Sequence, residues 1–284
     1  MFFREDTMKY LFRWFFPVLF LFLFSHSSQA QEQSPGRDLS PWIKSWKTSP
    51  SLFSHGTIVE RAIFTPGDPL NPPEQGAVLK YISKFSRGVL AGSTSTRPIA
   101  HEGENEVIFI VKGHGRIKAG GKVEALIPMD SVLIPPGLEH TIINESDSPL
   151  EILIVTEPVP DDFEPRKDIL VVNAFGDSRS WYAHWCMTGH TMLHRNQGLC
   201  QLESAAVVMI TGKNMAEPHR HIEGHEEIWY QLEGSSHFLL GTQLYEQPEG
   251  TAFLIPPDGE TPHASINVTE EPMLWFFLAR WNDR

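Results

Sequence analysis

The chain has 284 residues, of which 41% are hydrophobic, and this length allows one large domain or two ordinary domains with proper cores. Its formal net charge is −12 at pH 7. Because an acidic chain repels phosphate backbones, we expect no nucleic-acid partner.

The N-terminal residues have the pattern of an export signal. Lys9 and Arg13 precede an apolar run over 14–24, and small residues follow at Ser28 and Ala30. The run has about eleven residues and is too short to span a bilayer, which needs roughly 20. We therefore predict a signal peptide over 1–30, a secreted or periplasmic protein and no membrane span after cleavage. The alternative is an uncleaved membrane anchor.

The remaining chain divides by composition into four segments. Residues 31–75 are rich in Pro, Ser and Gly, which predicts a lead-in with one short helix around 42–47. Residues 76–157 contain short apolar runs separated by Gly and Pro, a pattern typical of an all-β sandwich or barrel. Residues 158–200 interrupt that pattern and predict an irregular linker. Short strands return over 201–284.

The two β-rich segments repeat each other. The run from Glu106 to Gly113 matches the run from Glu227 to Gly234, and a Leu-Ile-Pro-Pro sequence follows in both. The spacing between the two copies is the same for both matches. Two motifs that recur in the same order at one spacing predict two copies of a single domain.

The second copy contains a set of metal-ligand residue types. Because residues two apart in a strand point to the same side, His219 and His221 can aim at one point. Glu227 or Glu226 begins the next strand and can add an oxygen, and His263 can add a third imidazole. Three imidazoles and one carboxylate suit Fe, Mn, Ni, Cu or Zn rather than Ca or Mg.

These segments resemble the two signature motifs of the cupin superfamily. The first resembles His-x-His, a spacer, Glu, six residues and Gly, and it selects Glu227 because that residue lies at the correct spacing before Gly234. The spacer after His221 is slightly longer than the family's usual one. The second resembles Pro-x-Gly, a spacer, His, three residues and Asn. The resemblance covers roughly 76–281.

The resemblance implies an all-β chain with two tandem cupin barrels of the double-stranded β-helix, or jelly-roll, type. The N-terminal barrel would occupy 76–157 and the C-terminal barrel 201–284. In the first copy, Ile99 stands where the first motif histidine is expected. His101, Glu106 and His140 remain, and they form either a second metal site or part of a copy kept for packing.

Several residues near the predicted site have two interpretations. His225 and Glu226 are candidates for proton transfer, or solvated loop residues. Cys186 and Cys200 either form a disulfide or remain free thiols. The predicted inward face of the second barrel supplies pocket-lining candidates, or ordinary core residues, at Trp229, Gln231, Phe253, Trp275 and Phe277.

Some further histidines and asparagines have no predicted role at the site. The linker histidines His184, His190 and His194 are expected to be packed or exposed rather than metal-binding. Asn144 and Asn267 lie in N-x-S/T sequons, but both match the motif asparagine on a barrel strand. We therefore expect no glycan at either position.

The resemblance implies a metal-dependent enzyme, and a dioxygenase acting on a small oxygenated organic substrate is the leading hypothesis. Fe or Mn is the expected metal, with Ni, Cu or Zn as alternatives. Other hypotheses are a metal-dependent decarboxylase, lyase or isomerase on a small carboxylic or sugar acid, and a non-catalytic secreted metal- or sugar-binding protein. Similar two-barrel proteins include oxalate decarboxylases, quercetinases and plant ureidoglycine aminohydrolases. The last differ in their ligand set, which resembles Glu-x-His, His and Gln. A homo-oligomer is left open.

Overall fold

The computed structural model describes residues 37–176 and 178–281. The predicted signal peptide over 1–30 lies outside the described residues. Within the described ranges, no helix has the length and hydropathy needed to cross a membrane.

The described chain consists almost entirely of strands. The first half contains β1 Ile43–Ser45, β2 Ser51–Ser54, β3 Ile58–Pro66, β4 Ala77–Leu79, β5 Lys84–Leu90, β6 Thr94–Ser95, β7 Glu104–Lys112, β8 Gly115–Ala119, β9 Lys122–Leu126, β10 Asp130–Ile134, β11 His140–Asn144 and β12 Leu150–Pro158. The second half contains β13 Leu170–Asn173, β14 Arg179–Ala183, β15 Met187–His194, β16 Ser204–Ile210, β17 Asn214–Met215, β18 Glu226–Glu233, β19 Ser235–Leu240, β20 Gln243–Pro248, β21 Thr251–Ile255, β22 His263–Asn267 and β23 Met273–Arg280. Short 3₁₀ turns occupy Ser40–Trp42, Trp46–Thr48 and Arg195–Gln197.

The strands form two jelly-roll barrels with the same topology, which confirms the predicted fold class. In the first barrel, a large sheet of order β13-β10-β7-β12-β5-β3-β2 accompanies a small sheet of order β6-β11-β8-β9. In the second barrel, the corresponding orders are β1-β21-β18-β23-β16-β15-β14 and β17-β22-β19-β20. Each strand in these orders thus has a counterpart at the same place in the other barrel, and the first barrel has one additional strand, β4, which pairs with β3.

The large sheets also contain strands from outside 76–157 and 201–284, namely β2, β3 and β13 in the first barrel and β1, β14 and β15 in the second. β1 precedes the first barrel but pairs with β21 of the second, joining Ile43 to Phe253. β13 follows the first barrel and returns to pair with β10, joining Val172 to Ser131. The predicted helix over 42–47 is therefore wrong, because its backbone groups bond to a neighbouring strand. The region over 158–200, predicted to be irregular, contains three strands.

Aromatic side chains join the two barrels through the outer faces of their large sheets. Phe276 of β23 lies 4.7 Å from Phe109 and 6.3 Å from Phe85, measured between ring centroids. Tyr230 packs edge-on against Phe85 and accepts a hydrogen bond of 3.1 Å from Nη1 of Arg87. These residues belong to one hydrophobic core that extends across both barrels.

The sequon asparagines are buried and hydrogen-bonded. Asn144 is 1% exposed, and its Nδ2 donates to the carbonyls of Leu90, Ala91 and Ser148. Asn267 makes the corresponding bonds in the second barrel. Both side-chain amides are therefore committed to the fold, which agrees with the expectation that neither carries a glycan.

The shared core makes a testable prediction about stability. Because Phe276 is fully buried between the barrels, Phe276→Ala should lower the free energy of unfolding by about 3–5 kcal/mol. Urea unfolding followed by tryptophan fluorescence measures the change. Phe53→Ala removes an equal side chain that is 78% exposed and serves as the matched control. Equal stability losses in the two variants would contradict the packing role of Phe276.

Candidate metal centres

The second barrel brings the predicted ligands together at one end of its strands. His219 and His263 form an isolated β-bridge, in which each backbone N–H donates to the other residue's carbonyl at 3.1 and 2.8 Å. His221 lies two residues further on, and Glu227 follows in β18. The bridge fixes the spacing of two ligands through the backbone, so their position does not depend on side-chain contacts.

The side chains of this cluster converge. One ring nitrogen from each of His219, His221 and His263 lies within 4.8 Å of the others. Glu227 reaches the Nε2 atoms of His221 and His263 at 3.2 and 3.9 Å. The structure therefore brings the three predicted imidazoles to one point, with the carboxylate of Glu227 beside two of them.

Hydrogen bonds and burial prepare these ligands for a cation. Nδ1 of His219 donates to the carbonyl of Glu217 at 3.0 Å, which directs the lone pair of Nε2 toward the cluster. Burial lowers the pKa of His219, and it lowers the pKa of His263 to about 3. Burial also opposes ionisation of Glu227, but the hydrogen bonds from His221 and Trp229 and the nearby imidazoles together outweigh it, so the pKa of Glu227 is lowered. Neutral imidazoles beside a carboxylate are the forms that bind a transition metal.

The first barrel contains a second cluster, and it has four members rather than the predicted three. His101, Glu106 and His140 meet as expected, and His55 joins them. Nε2 of His55 lies 3.1 Å from one oxygen of Glu106, while Nε2 of His140 lies 3.2 Å from the other. His101 is more distant from the carboxylate, at 3.6 Å, but only 3.4 Å from Nε2 of His55.

His55 comes from a hairpin outside the repeated motifs. It occupies the three-residue turn between β2 and β3 with φ of 51°, followed by Gly56 with φ of 82°. His55 could not be identified from the motifs, because the lead-in segment contains none of them. The one available signal was a His-Gly pair between two short strand patterns, which is typical of a hairpin turn.

The first cluster fits a cation on the evidence of its own hydrogen bonds. Nδ1 of His140 lies 3.2 Å from the carbonyl of Leu138, to which it can only donate. Nε2 of a neutral His140 then presents a lone pair to the carboxylate of Glu106, and two acceptors face each other. That Nε2 has no hydrogen-bond partner, nor has Oε1 of Glu106. A divalent cation bound in the cluster would satisfy both the Nε2 lone pair of His140 and the unpartnered oxygen of Glu106.

The two candidates for proton transfer lie in different places. His225 lies at the mouth of the second barrel, with its ring 5.6 Å from that of His221 and 4.8 Å from that of Trp281. Glu226 points to the opposite side of β18 from Glu227. It lines a small cavity at the junction of the barrels with Tyr81 and Arg280. Glu226 is therefore not part of the cluster, and its suggested role there is wrong because adjacent strand residues alternate in direction.

Large side chains fill the interior of the second barrel. The predicted pocket-lining residues do share the inward face with Glu227, and all are buried. Trp229 lies 4.6 Å from Phe277, and Phe253 stacks on Phe238 at 4.1 Å. Nε1 of Trp229 also donates to Oε2 of Glu227 at 3.0 Å. These residues pack the core and orient the carboxylate, so they are not the walls of an open pocket.

The remaining expectations concern the linker. His184 lies beside the second cluster, stacked on His219 at 4.2 Å and paired through Nδ1 with Glu217 at 2.7 Å. His190 and His194 lie elsewhere, next to Phe175 and Glu203 respectively. In the structure, Cys186 and Cys200 are free thiols.

Comparison with known proteins gives a family match in both barrels. The cupin domain family model matches residues 87–156 and 206–279, together about half of the chain. An uncharacterized protein of Methanocaldococcus jannaschii is 33% identical over 84 residues. That match covers 29% of this chain and 63% of the relative's length.

Several solved structures have a similar fold. A putative glyoxylate-induced protein from Pseudomonas aeruginosa has a TM-score of 0.67 at 15% identity, covering 85% of this chain and 88% of the other. An oxalate decarboxylase variant from Bacillus subtilis has a TM-score of 0.64 at 12% identity, with coverages of 87% and 78%. The 7S globulin of Momordica charantia has a TM-score of 0.59 at 13% identity, with coverages of 86% and 85%. Similarity at these identities shows the fold alone.

The position of Glu226 makes a prediction about pH. Burial raises its pKa from 4.5 to about 7, although Arg280 and Lys80 oppose the shift. Folding therefore disfavours the ionised form of Glu226, which lowers the free energy of unfolding. This loss of stability is absent below about pH 4.5 and grows as the pH rises toward 7. Glu226→Gln removes the charge and should raise the free energy of unfolding at pH 8, by up to about 3 kcal/mol.

The same variant should have nearly wild-type stability at pH 4.5, as measured by urea unfolding at both pH values. Glu233→Gln changes an exposed glutamate of the same strand and is the control. A stabilisation of equal size at both pH values would show that burial of the charge is not the cause.

Proposed function

Because the chain belongs to the cupin family, we propose that it is a divalent-metal-dependent enzyme with its active site in the second barrel. His219, His221, Glu227 and His263 would hold the metal. The observation that carries this proposal is the convergence of three imidazoles, two of which contact the partly buried carboxylate of Glu227. A cluster of this kind suits Fe or Mn, with Ni, Cu or Zn as further candidates.

A bound transition metal would supply a Lewis acid and, in the case of Fe or Mn, redox chemistry with O₂. The chain supplies the orientation. The carbonyl of Glu217 fixes the ring of His219, and the indole of Trp229 fixes the carboxylate of Glu227. The packed aromatic interior excludes water from the inner side of the cluster. His225 and Trp281 stand at the outer side, where His225 can hold or release a proton.

The shape of the site favours a small substrate. The barrel interior is filled by residues such as Trp229 and Phe277, so a ligand has access only from the mouth. The side chain of His221 is 23% exposed there, whereas that of His263 is 5% exposed. We place a small oxygenated organic molecule, held through a carboxylate or hydroxyl group, at this exposed side. Dioxygenation is the leading reaction class.

Decarboxylation is the second candidate. The observation that favours it is the shared two-barrel architecture with an oxalate decarboxylase. Such a reaction releases CO₂ from a small carboxylic acid without net consumption of O₂. A binding protein without turnover is the third candidate, since a 7S globulin also shares the architecture.

One experiment separates the three candidates. The purified protein is stripped of metal, reloaded with Fe²⁺ or Mn²⁺, and given a panel of small carboxylic and hydroxy acids. Oxygen consumption in proportion to product supports the dioxygenase, and CO₂ release without oxygen consumption supports the decarboxylase. Tight substrate binding without turnover by either route would contradict an enzymatic function.

We also propose that the chain is exported after cleavage behind Ala30, because the order of charges, apolar run and small residues over 1–30 is typical of a signal peptide. Expression of the full chain in a secreting host, followed by N-terminal sequencing, tests this. Recovery outside the cytoplasm with Gln31 at the N-terminus supports export. An intact N-terminus on cytoplasmic protein would contradict it.

The site proposal predicts the effect of removing a ligand. His219→Ala and His263→Ala should each lower activity by at least about 100-fold and remove metal from the second barrel, because each deletes a direct ligand. Metal analysis and circular dichroism on the same samples separate lost binding from lost folding. His190→Ala removes a histidine remote from both clusters and should keep full activity. Unchanged activity in a folded, metal-depleted His219→Ala variant would exclude this active site.

A further inference from the structure

We propose that the first barrel holds a metal ion of its own, and that His55 is the ligand that completes this site. The site would bind a divalent transition metal through His55, His101, Glu106 and His140. It lies in the other barrel from the proposed active site, so this inference goes beyond the proposed function. The notable feature is that one ligand comes from a hairpin that the family match, which begins at residue 87, does not include.

Comparison of the two barrels shows which ligand the first one lacks. Ile99 and His140 form an isolated β-bridge with reciprocal backbone hydrogen bonds of 3.0 and 2.9 Å. His219 and His263 form the same bridge in the second barrel. Ile99 therefore occupies the backbone position of His219, and its side chain offers no ligand. Without another contribution, the first barrel has two imidazoles where the second has three.

The β2–β3 hairpin replaces the missing imidazole. His55 is 4% exposed, and its Nε2 lies within hydrogen-bonding distance of Glu106 and 3.4 Å from Nε2 of His101. The backbone of Arg97, two residues before Ile99, donates to the carbonyl of His55 at 3.0 Å. The hairpin tip is thus tied to the segment that carries the lost ligand position. The left-handed φ of His55, unfavourable for a residue with a side chain, is what turns the imidazole inward.

The second barrel contains the same hairpin and provides an internal comparison. The turn between β14 and β15 also has three residues, begins with His184 at φ of 49° and continues with Trp185 at φ of 45°. Because the motif histidine is present in this barrel, the ring of His184 stacks on His219 and pairs with Glu217 instead. The hairpin thus brings a histidine to the cluster in both barrels, and only in the first does that histidine fill a vacant ligand position.

Charge and burial favour a cation at the first cluster. The side chains of His55 and Glu106 are each 1% exposed, and that of His140 is fully buried. Nδ1 of His140 donates to a backbone carbonyl. In the neutral ring, the lone pair of Nε2 therefore faces the carboxylate of Glu106 across 3.2 Å. Three imidazole nitrogens and one carboxylate around a buried point form the donor set of Fe, Mn, Co, Ni, Cu or Zn. The same set is poorly suited to Ca or Mg.

The test begins by removing the second-barrel site, so that the two proposals are separated. The variant His219→Ala/His263→Ala is stripped with a chelator and titrated with Co²⁺ alone. Visible absorption and native mass spectrometry count the bound ions. One equivalent per chain is expected, whether or not the second barrel is the active site.

His55→Asn in this background should lose that equivalent, with affinity for Co²⁺ lowered by at least about 10-fold. Asparagine tolerates the left-handed conformation, so the hairpin is preserved. His114→Asn changes an exposed histidine of the first barrel and is the matched control, for which one equivalent is expected. Circular dichroism confirms that each variant is folded.

Ile99→His provides the rescue. Added to His55→Asn, it restores a histidine at the backbone position equivalent to His219 and should recover one bound Co²⁺. Retention of the ion by folded His55→Asn would show that His55 is not a ligand. Absence of any bound ion in folded His219→Ala/His263→Ala protein would overturn the site itself. If His55→Asn does not fold, His55→Gly in the same background gives the same decision, because glycine accepts the left-handed conformation and also removes the imidazole.

Discussion

Each cluster is organised around a carboxylate, the buried Glu106 in the first barrel and the partly buried Glu227 in the second. An ionised carboxylate without partners in a protein interior is strongly unfavourable, so its neighbours must compensate for the lost water. Here the compensation comes from neighbouring imidazoles, which keep the pKa of Glu227 below the ordinary value despite burial. The histidines in turn are held by backbone contacts. The fold therefore positions the histidines, and the histidines stabilise the charge of the carboxylate.

The two barrels are structurally dependent on each other. β1 completes the large sheet of the second barrel, and β13 completes that of the first. The outer faces of these sheets are joined by Phe109, Phe276 and Tyr230 in a continuous core. β7 and β18 each have one face in this core and the other face toward a cluster. Because side chains alternate along a strand, neighbouring residues of β7 or β18 lie either in the core or at the cluster. Glu226 and Glu227 are adjacent in sequence and lie in different environments for this reason.

The sequence predicted the features that local pattern and repetition determine. The motif spacing to Gly234 selected Glu227 rather than Glu226, and the structure places Glu227 with the histidines. Two copies of one motif order predicted two similar barrels. The pairing of β1 with the second barrel could not be predicted in this way, because the pairing of Ile43 with Phe253 joins residues far apart in the chain. His55 was missed for the same reason, since only the folded hairpin brings it to Glu106.

The difference between the clusters follows from how each obtains its third imidazole. In the second barrel all three histidines come from the two motif segments, and the hairpin histidine His184 remains outside the ligand set. There, the mouth is bordered by His225 and Trp281, and His221 keeps an exposed edge. In the first barrel the hairpin itself supplies His55 and covers the carboxylate: the side chain of Glu106 is 1% exposed, whereas that of Glu227 in the second barrel is 13% exposed. The same backbone plan thus gives one cluster that small molecules can reach and one that is more enclosed by its own side chains. Because a substrate would have to reach the metal, the second barrel is the better place for the proposed reaction.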